Sequence, residues 1–133
     1  MIKVLLFLFS ALMAQAELIV EVSGIKNDSG IVGVLIFEKA EGFPEKSEKA
    51  LRRVEKGAKK GALVFKFPAL KEGSYAFVVL HDENKNRKLD KNFIGYQKEG
   101  FAISNYCKIA RPKFGKALVK NPKSPVKLKL LYP

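Results

Sequence analysis

The chain offers little sulfur or imidazole chemistry. Its 133 residues include one cysteine, Cys107, one histidine, His81, and no tryptophan. A lone cysteine forms no internal disulfide, and without a Cys-x-x-Cys pair thiol–disulfide exchange is excluded as the main activity. A zinc site or a catalytic triad normally draws on more imidazole or thiol than one residue of each. No G-x-S-x-G elbow, phosphate-binding glycine loop or H-E-x-x-H occurs. Long apolar runs are also scarce, the one exception lying at the start of the chain.

That start reads MIKVLLFLFSALMAQAE. Lys3, an apolar stretch over residues 4–13 and Ala14-Gln15-Ala16 are the three parts of a cleavable secretory signal. The apolar stretch is too short to span about 30 Å of hydrocarbon. Glu17 stands where a lipoprotein would need cysteine. The expectation is a signal peptide over residues 1–16 and one mature domain over residues 17–133, periplasmic or secreted, with no transmembrane segment. A domain of this size buries enough surface to fold without disulfides.

Acidic residues are few against basic ones, 13 against 25, for a net charge of +12. Such a field attracts anionic partners: membrane surfaces, acidic glycans, nucleic acid. Export argues against nucleic acid, and the basic residues are scattered rather than interleaved with aromatics. An anionic envelope surface, a glycan or an envelope protein is the partner class expected.

Short strands dominate the chain from Leu18 onward. Leu18, Val20 and Val22 alternate with more polar neighbours in a first strand. The turn GIKNDSG has the residues a reversal needs. A buried second strand, IVGVLIFE, comes next, and the two read as a hairpin. Pro44, Glu45 and Ser47, with the i,i+4 pairs Glu45/Lys49 and Glu48/Arg52, predict a short helix over residues 45–57 in a connection crossing between sheets. Strands are then expected at 62–67, at 74–81 (apolar on both faces and therefore central), and more weakly at 93–96, 115–120 and 126–132. About seven strands and one crossing connection predict a single all-β Greek-key β-sandwich, immunoglobulin-like or prealbumin-like.

The stretch FPALKEGSYAFVVLHDENKNRKLDKNFIGYQKEGFAISN, flanked by SGIKNDSGIVGVLIF and PKFGKALV, resembles an uncharacterised family of small exported bacterial proteins, domain of unknown function 2141. The resemblance covers essentially all of the chain after residue 16. It departs from the family pattern where Arg87 replaces a loop glycine and where Gly95-Tyr96-Gln97 replaces Gly-Ile-Pro. It implies an immunoglobulin-like or prealbumin-like sandwich and export, and it implies no reaction.

Within that stretch, HDENKNRKLD has calcium-loop spacing. Positions 1, 3, 5, 7 and 9 are Asp82, Asn84, Asn86, the backbone carbonyl of Lys88, and Asp90. Arg87 occupies the position usually held by glycine, and Phe93 that of the bidentate glutamate. Glu99 is the nearest carboxylate able to fold back as a further ligand. Lys85, Arg87, Lys88 and Lys91 crowd the loop with positive charge. Two readings are open: a weak calcium site, or a metal-free turn built on Asp and Asn with an internal ion pair. The following segment, with Tyr96, Phe101, Ser104 and Asn105, is a candidate aromatic–polar binding edge, the alternative being that Phe101 is core. The chain reads as a non-enzymatic binding or structural module. A hydrolase using the edge around His81 is the alternative, and neighbours on a strand point to opposite faces, so His81 and Asp82 form no direct dyad.

Overall fold

The computed structural model describes residues 17–84, 99–107 and 111–133. Among them the chain forms eight strands: β1 (Leu18–Ile25), β2 (Ile31–Phe37), β3 (Arg52–Gly57), β4 (Gly61–Phe67), β5 (Ser74–Asp82), β6 (Phe101–Ile103), β7 (Leu118–Lys120) and β8 (Val126–Lys129). They make two sheets. One is three-stranded, β4-β1-β8; the other is five-stranded, β3-β2-β5-β6, with β7 also on β5. The all-β sandwich expected from the strand pattern is the architecture found.

Alternation decides which side chains meet between the sheets. β1 sends Leu18, Val20 and Val22 inward, opposite Phe67, Phe65 and Leu63 of β4. From the other sheet come Val32, Val34 and Ile36 of β2 and Tyr75, Phe77 and Val79 of β5. Each fully buried aliphatic or aromatic side chain contributes roughly 1.5–3 kcal/mol, so this core stands in for the disulfides the chain cannot make.

β5 is buried on both faces, as its sequence predicts. Its outer face (Ala76, Val78 and Leu80) lies with Leu35 and Phe37 beneath a second apolar layer. Phe43 and Ala50 from the 38–51 connection, and Phe114 and Leu118 from the later chain, supply that cover. Phe43 packs edge-on against both Phe37 and Phe114, with ring centroids 5.6 and 5.5 Å away.

Three expectations are corrected. β1 and β2 are no hairpin: β1 pairs with β4 and β8, β2 with β3 and β5. β1 has one buried face and suits the thinly covered sheet, whereas β2 is apolar on both faces and belongs in the sheet covered twice. The helix over 45–57 is reduced to a 3-10 turn, Ser47–Lys49, and Arg52–Gly57 is strand. The open edge of β2 takes Val54 opposite Val34, and that pairing outweighs the surface i,i+4 pairs. Lys49 instead meets Glu41, at 3.2 Å. The strand expected over 115–120 begins as a helical turn, Phe114–Ala117, and only Leu118–Lys120 pairs. The strand expected at 93–96 lies outside the described residues.

Candidate functional site

The polar groups at one end of the sandwich converge on the two ends of the segment that joins β5 to β6. His81 is fully buried. It extends the inward face of β5 beyond Val79, where an imidazole without partners would be destabilised by desolvation. Its Nε2 meets the Ser29 carbonyl at 2.7 Å, and its Nδ1 meets Tyr132 Oη at 2.7 Å. A carbonyl only accepts, so Nε2 carries the proton. Tyr132 Oη already accepts the Lys26 backbone N–H at 3.0 Å. With Tyr132 O–H donating to Nδ1, every proton in the chain from Lys26 to Ser29 is used once. Burial holds the Tyr132 phenol above its ordinary range, with the Lys26 N–H opposing and the Glu83 charge adding, so the hydroxyl remains a donor at neutral pH.

His81 also sets the near end of the 82–99 segment: its backbone N–H donates to the Gly100 carbonyl at 2.9 Å. The Tyr132 ring lies so close to Gly100 that a Cβ there would sit 2.5 Å from it. Gly30, at φ +73°, lets the 26–30 turn pass over the end of β5; a Cβ there would be 2.0 Å from the Asp82 carbonyl oxygen. From the same turn Asn27 Nδ2 donates to Glu83 Oε1 at 2.9 Å, while Asn27 Oδ1 accepts Ser29 N–H.

Glu99 folds back to the start of the loop. Its Oε2 accepts the Glu83 backbone N–H at 2.8 Å, and the Asn84 backbone N–H also bonds to the carboxylate. Partial burial raises its pKa above the ordinary carboxylate value. The Glu83 and Asn84 amides oppose that rise, and the charges of Asp82 and Glu83 add to it. That direction fixes the sign of the linkage. Folded Glu99 holds its proton more tightly than unfolded Glu99, so its contribution to stability is most favourable below the ordinary carboxylate range and is lost as pH rises through the raised value. In EDTA, the stability of wild type relative to Glu99→Gln should therefore fall as pH rises from the ordinary carboxylate range through the raised value. Denaturant melts across that range measure it, and a flat difference would show that the crowding of Glu99 has no energetic weight.

Of the expected loop ligands, Asp82 and Asn84 are described and Glu99 joins them at the loop's base. Asn86, Lys88 and Asp90, with Tyr96 of the binding edge, lie outside the described residues. Among the described residues no three His, Cys, Asp or Glu side chains are placed to hold a metal. The fit to calcium is therefore partial. Glu99, crowded by the charges of Asp82 and Glu83, is the donor a hard cation would relieve.

The binding edge is corrected at two positions. Phe101 and Ser104 are both 3% exposed and sit inside the molecule. β6 and β7 share one edge of β5, and the gap between them falls at Phe77. Ser104 fills it: its N–H donates to the Phe77 carbonyl and its hydroxyl accepts the Phe77 N–H, each at 3.0 Å, then donates to the Ala117 carbonyl. Asn105 is exposed, at φ +68°, and its amide donates to the Lys116 and Leu118 carbonyls. The sequence reading missed Tyr132 as the partner of His81. The alternation Leu128, Leu130, Tyr132 puts Tyr132 on the inward face; with the opposed sheets known, that register points to His81.

A family model of uncharacterized proteins conserved in bacteria, DUF2141, matches residues 20–128. The chain belongs to the DUF2141 family. The match runs from within β1 into β8, so the DUF2141 region contains both sheets, the 82–99 segment and its anchors His81, Gly30 and Glu99. Tyr132 lies beyond it. No curated protein and no solved structure matched the chain.

Proposed function

We propose that this DUF2141 protein is an exported, non-enzymatic binding or structural module of the bacterial envelope, periplasmic or secreted after cleavage behind Ala16. Its working element is the 82–99 segment. One observation carries the reading: the polar groups of the 26–30 turn, His81, Glu99 and Tyr132 are committed to pinning both ends of that segment to the sandwich. Functional residues gather on loops held by a rigid scaffold. The hydrolase alternative loses its natural base, because both ring nitrogens of His81 are engaged away from solvent. Among the described residues, no helix is long and apolar enough to cross a membrane.

Calcium is the ligand class proposed for the segment, with Asp82, Asn84 and Glu99 at its base. For an extracellular module the affinity would be about 10⁻⁴–10⁻³ M. Linkage at about 10 mM calcium then stabilises the fold by about 1.4–2.7 kcal/mol. A thermal melt of the mature protein in EDTA, then in calcium, should show the midpoint rising by several degrees. Magnesium should not reproduce the rise, and Asp82→Asn with Glu99→Gln should abolish it. An unchanged midpoint, or an equal rise in magnesium, would leave the segment a metal-free turn.

A further inference from the structure

The two sheets touch along one side of the sandwich at a single point and then part. Among the described residues β6 pairs only with β5 and β8 only with β1, apart from one bridge, Phe101 to Leu131. There the Phe101 N–H donates to the Leu131 carbonyl at 3.0 Å and the Leu131 N–H to the Phe101 carbonyl at 2.8 Å. Beyond the bridge lies a cleft of about 400 Å³ between Ile103 and Tyr106 on one wall and Lys127, Leu128 and Lys129 on the other, with exposed Cys107 beside it.

The direction of the β8 backbone is set by its bonds. The Leu130 N–H donates to the Ser23 carbonyl in β1, and the next residue, Leu131, turns both its groups to Phe101. N–H and C=O groups alternate sides along a strand, so those of Lys127 and Lys129 face the cleft with Leu131. An open strand edge of this kind is a template for a further strand. We propose that the cleft binds an extended peptide segment alternating acidic and apolar residues, added as a strand to the free edge of β8.

The alternation comes from the two faces of β8. Lys127 and Lys129 are exposed on the outer face, while Leu128 is buried on the inner one. Directly opposite side chains on paired strands lie about 4.5–5.5 Å apart, where opposite charges attract and like charges repel. An added strand therefore puts every second side chain beside a lysine and the others over Leu128 and Ala102, which both belong to the core between the sheets. A second copy of the chain would bring Lys127 and Lys129 against their own kind, which disfavours self-pairing at this edge. The net charge of +12 draws an acidic partner in from a distance. The cleft volume falls within the range of ligand sites. The inference is independent of whether the 82–99 segment takes a metal.

Cys107 is the natural reporter. The probe is an end-blocked heptapeptide alternating Glu and Val, and the readout is the rate of Cys107 alkylation. With a dissociation constant on the order of 10⁻⁴ M, about 1 mM peptide occupies roughly nine-tenths of the sites, so alkylation should slow about tenfold. A peptide with Lys for Glu, and a Glu peptide N-methylated at alternate residues, should leave the rate unchanged. Lys127→Glu with Lys129→Glu should lose protection by the Glu peptide and gain it from the Lys peptide. The proposal is overturned by no protection, by protection indifferent to charge or N-methylation, or by a double variant that still prefers the Glu peptide. Anionic phospholipid vesicles protecting Cys107 when the peptide does not would reassign the surface to lipid. A thiol unreactive in the protein alone until denaturant is added would mean that the cleft is already covered, which also overturns it.

Discussion

Gly30→Ala should cost about 4 kcal/mol or more, a loss large enough to lower the thermal midpoint by more than about 10 °C. Two penalties coincide. A left-handed backbone, here φ +73°, costs a residue with a Cβ roughly 1–2 kcal/mol. The new Cβ would also lie 2.0 Å from the Asp82 carbonyl oxygen and 2.7 Å from Glu83 backbone atoms. Neither neighbour is a side chain that can swing away, so the whole 26–30 turn must lift. Lifting it pulls the Ser29 carbonyl from His81 and Asn27 from Glu83, and with them the near end of the 82–99 segment. Gly57→Ala is the control. Beyond its own chain neighbours no atom lies within 4 Å of its Cβ position, so the change should stay within about 0.5 kcal/mol. Denaturant melts of both variants test the contrast, and equal losses would sink the argument.

His81→Ala should cost about 3–5 kcal/mol, the range for emptying an aromatic-sized core position and stranding its partners. The Ser29 carbonyl and the Tyr132 hydroxyl each lose their 2.7 Å contact. His81→Phe, which keeps most of the volume, separates the two causes: it should recover the packing and leave the hydrogen-bond deficit. Tyr132→Phe alone should cost less, about 1–2 kcal/mol, since only the hydroxyl is removed. Because the two residues share a bond, the double variant should fall short of the sum of the singles by about 0.5 kcal/mol or more. Strict additivity, measured by equilibrium unfolding, would mean that the histidine and tyrosine do not work as a unit.

Periodicity is enough to read much of this fold. The alternation in Leu18, Val20 and Val22 marks one buried face, and the unbroken apolar run of β5 marks a strand covered on both sides. Pairing is harder to read. Nothing local to GIKNDSG distinguishes a hairpin turn from one that passes between sheets. The helix signal at 45–57 comes from charge pairs worth only about 0.2–0.5 kcal/mol each, too little to resist a strand edge needing a partner. At the site, the reach of Glu99 back to Asp82 is visible as a nearby carboxylate, and its contact with the Glu83 and Asn84 amides is not. The bond from His81 to Tyr132 joins residues 51 positions apart, a distance over which local spacing has no say. Phe101 and Ser104 look like a surface pair because aromatic and hydroxyl residues serve at both surfaces and cores. Only the gap opposite Phe77 explains why a serine belongs there.

The parallel pairing of β1 with β8 has a consequence for timing. Val20 lies opposite Val126 and Ser23 opposite Lys129, so the first strand of the sandwich completes its ladder only with the last. Non-local ladders of this kind lose their loop-closure entropy before any contact compensates it, which makes folding slow and late. The three-stranded sheet cannot close while the final segment is still being synthesised. Until Val126–Lys129 has emerged, β1 is held in its sheet by β4 alone.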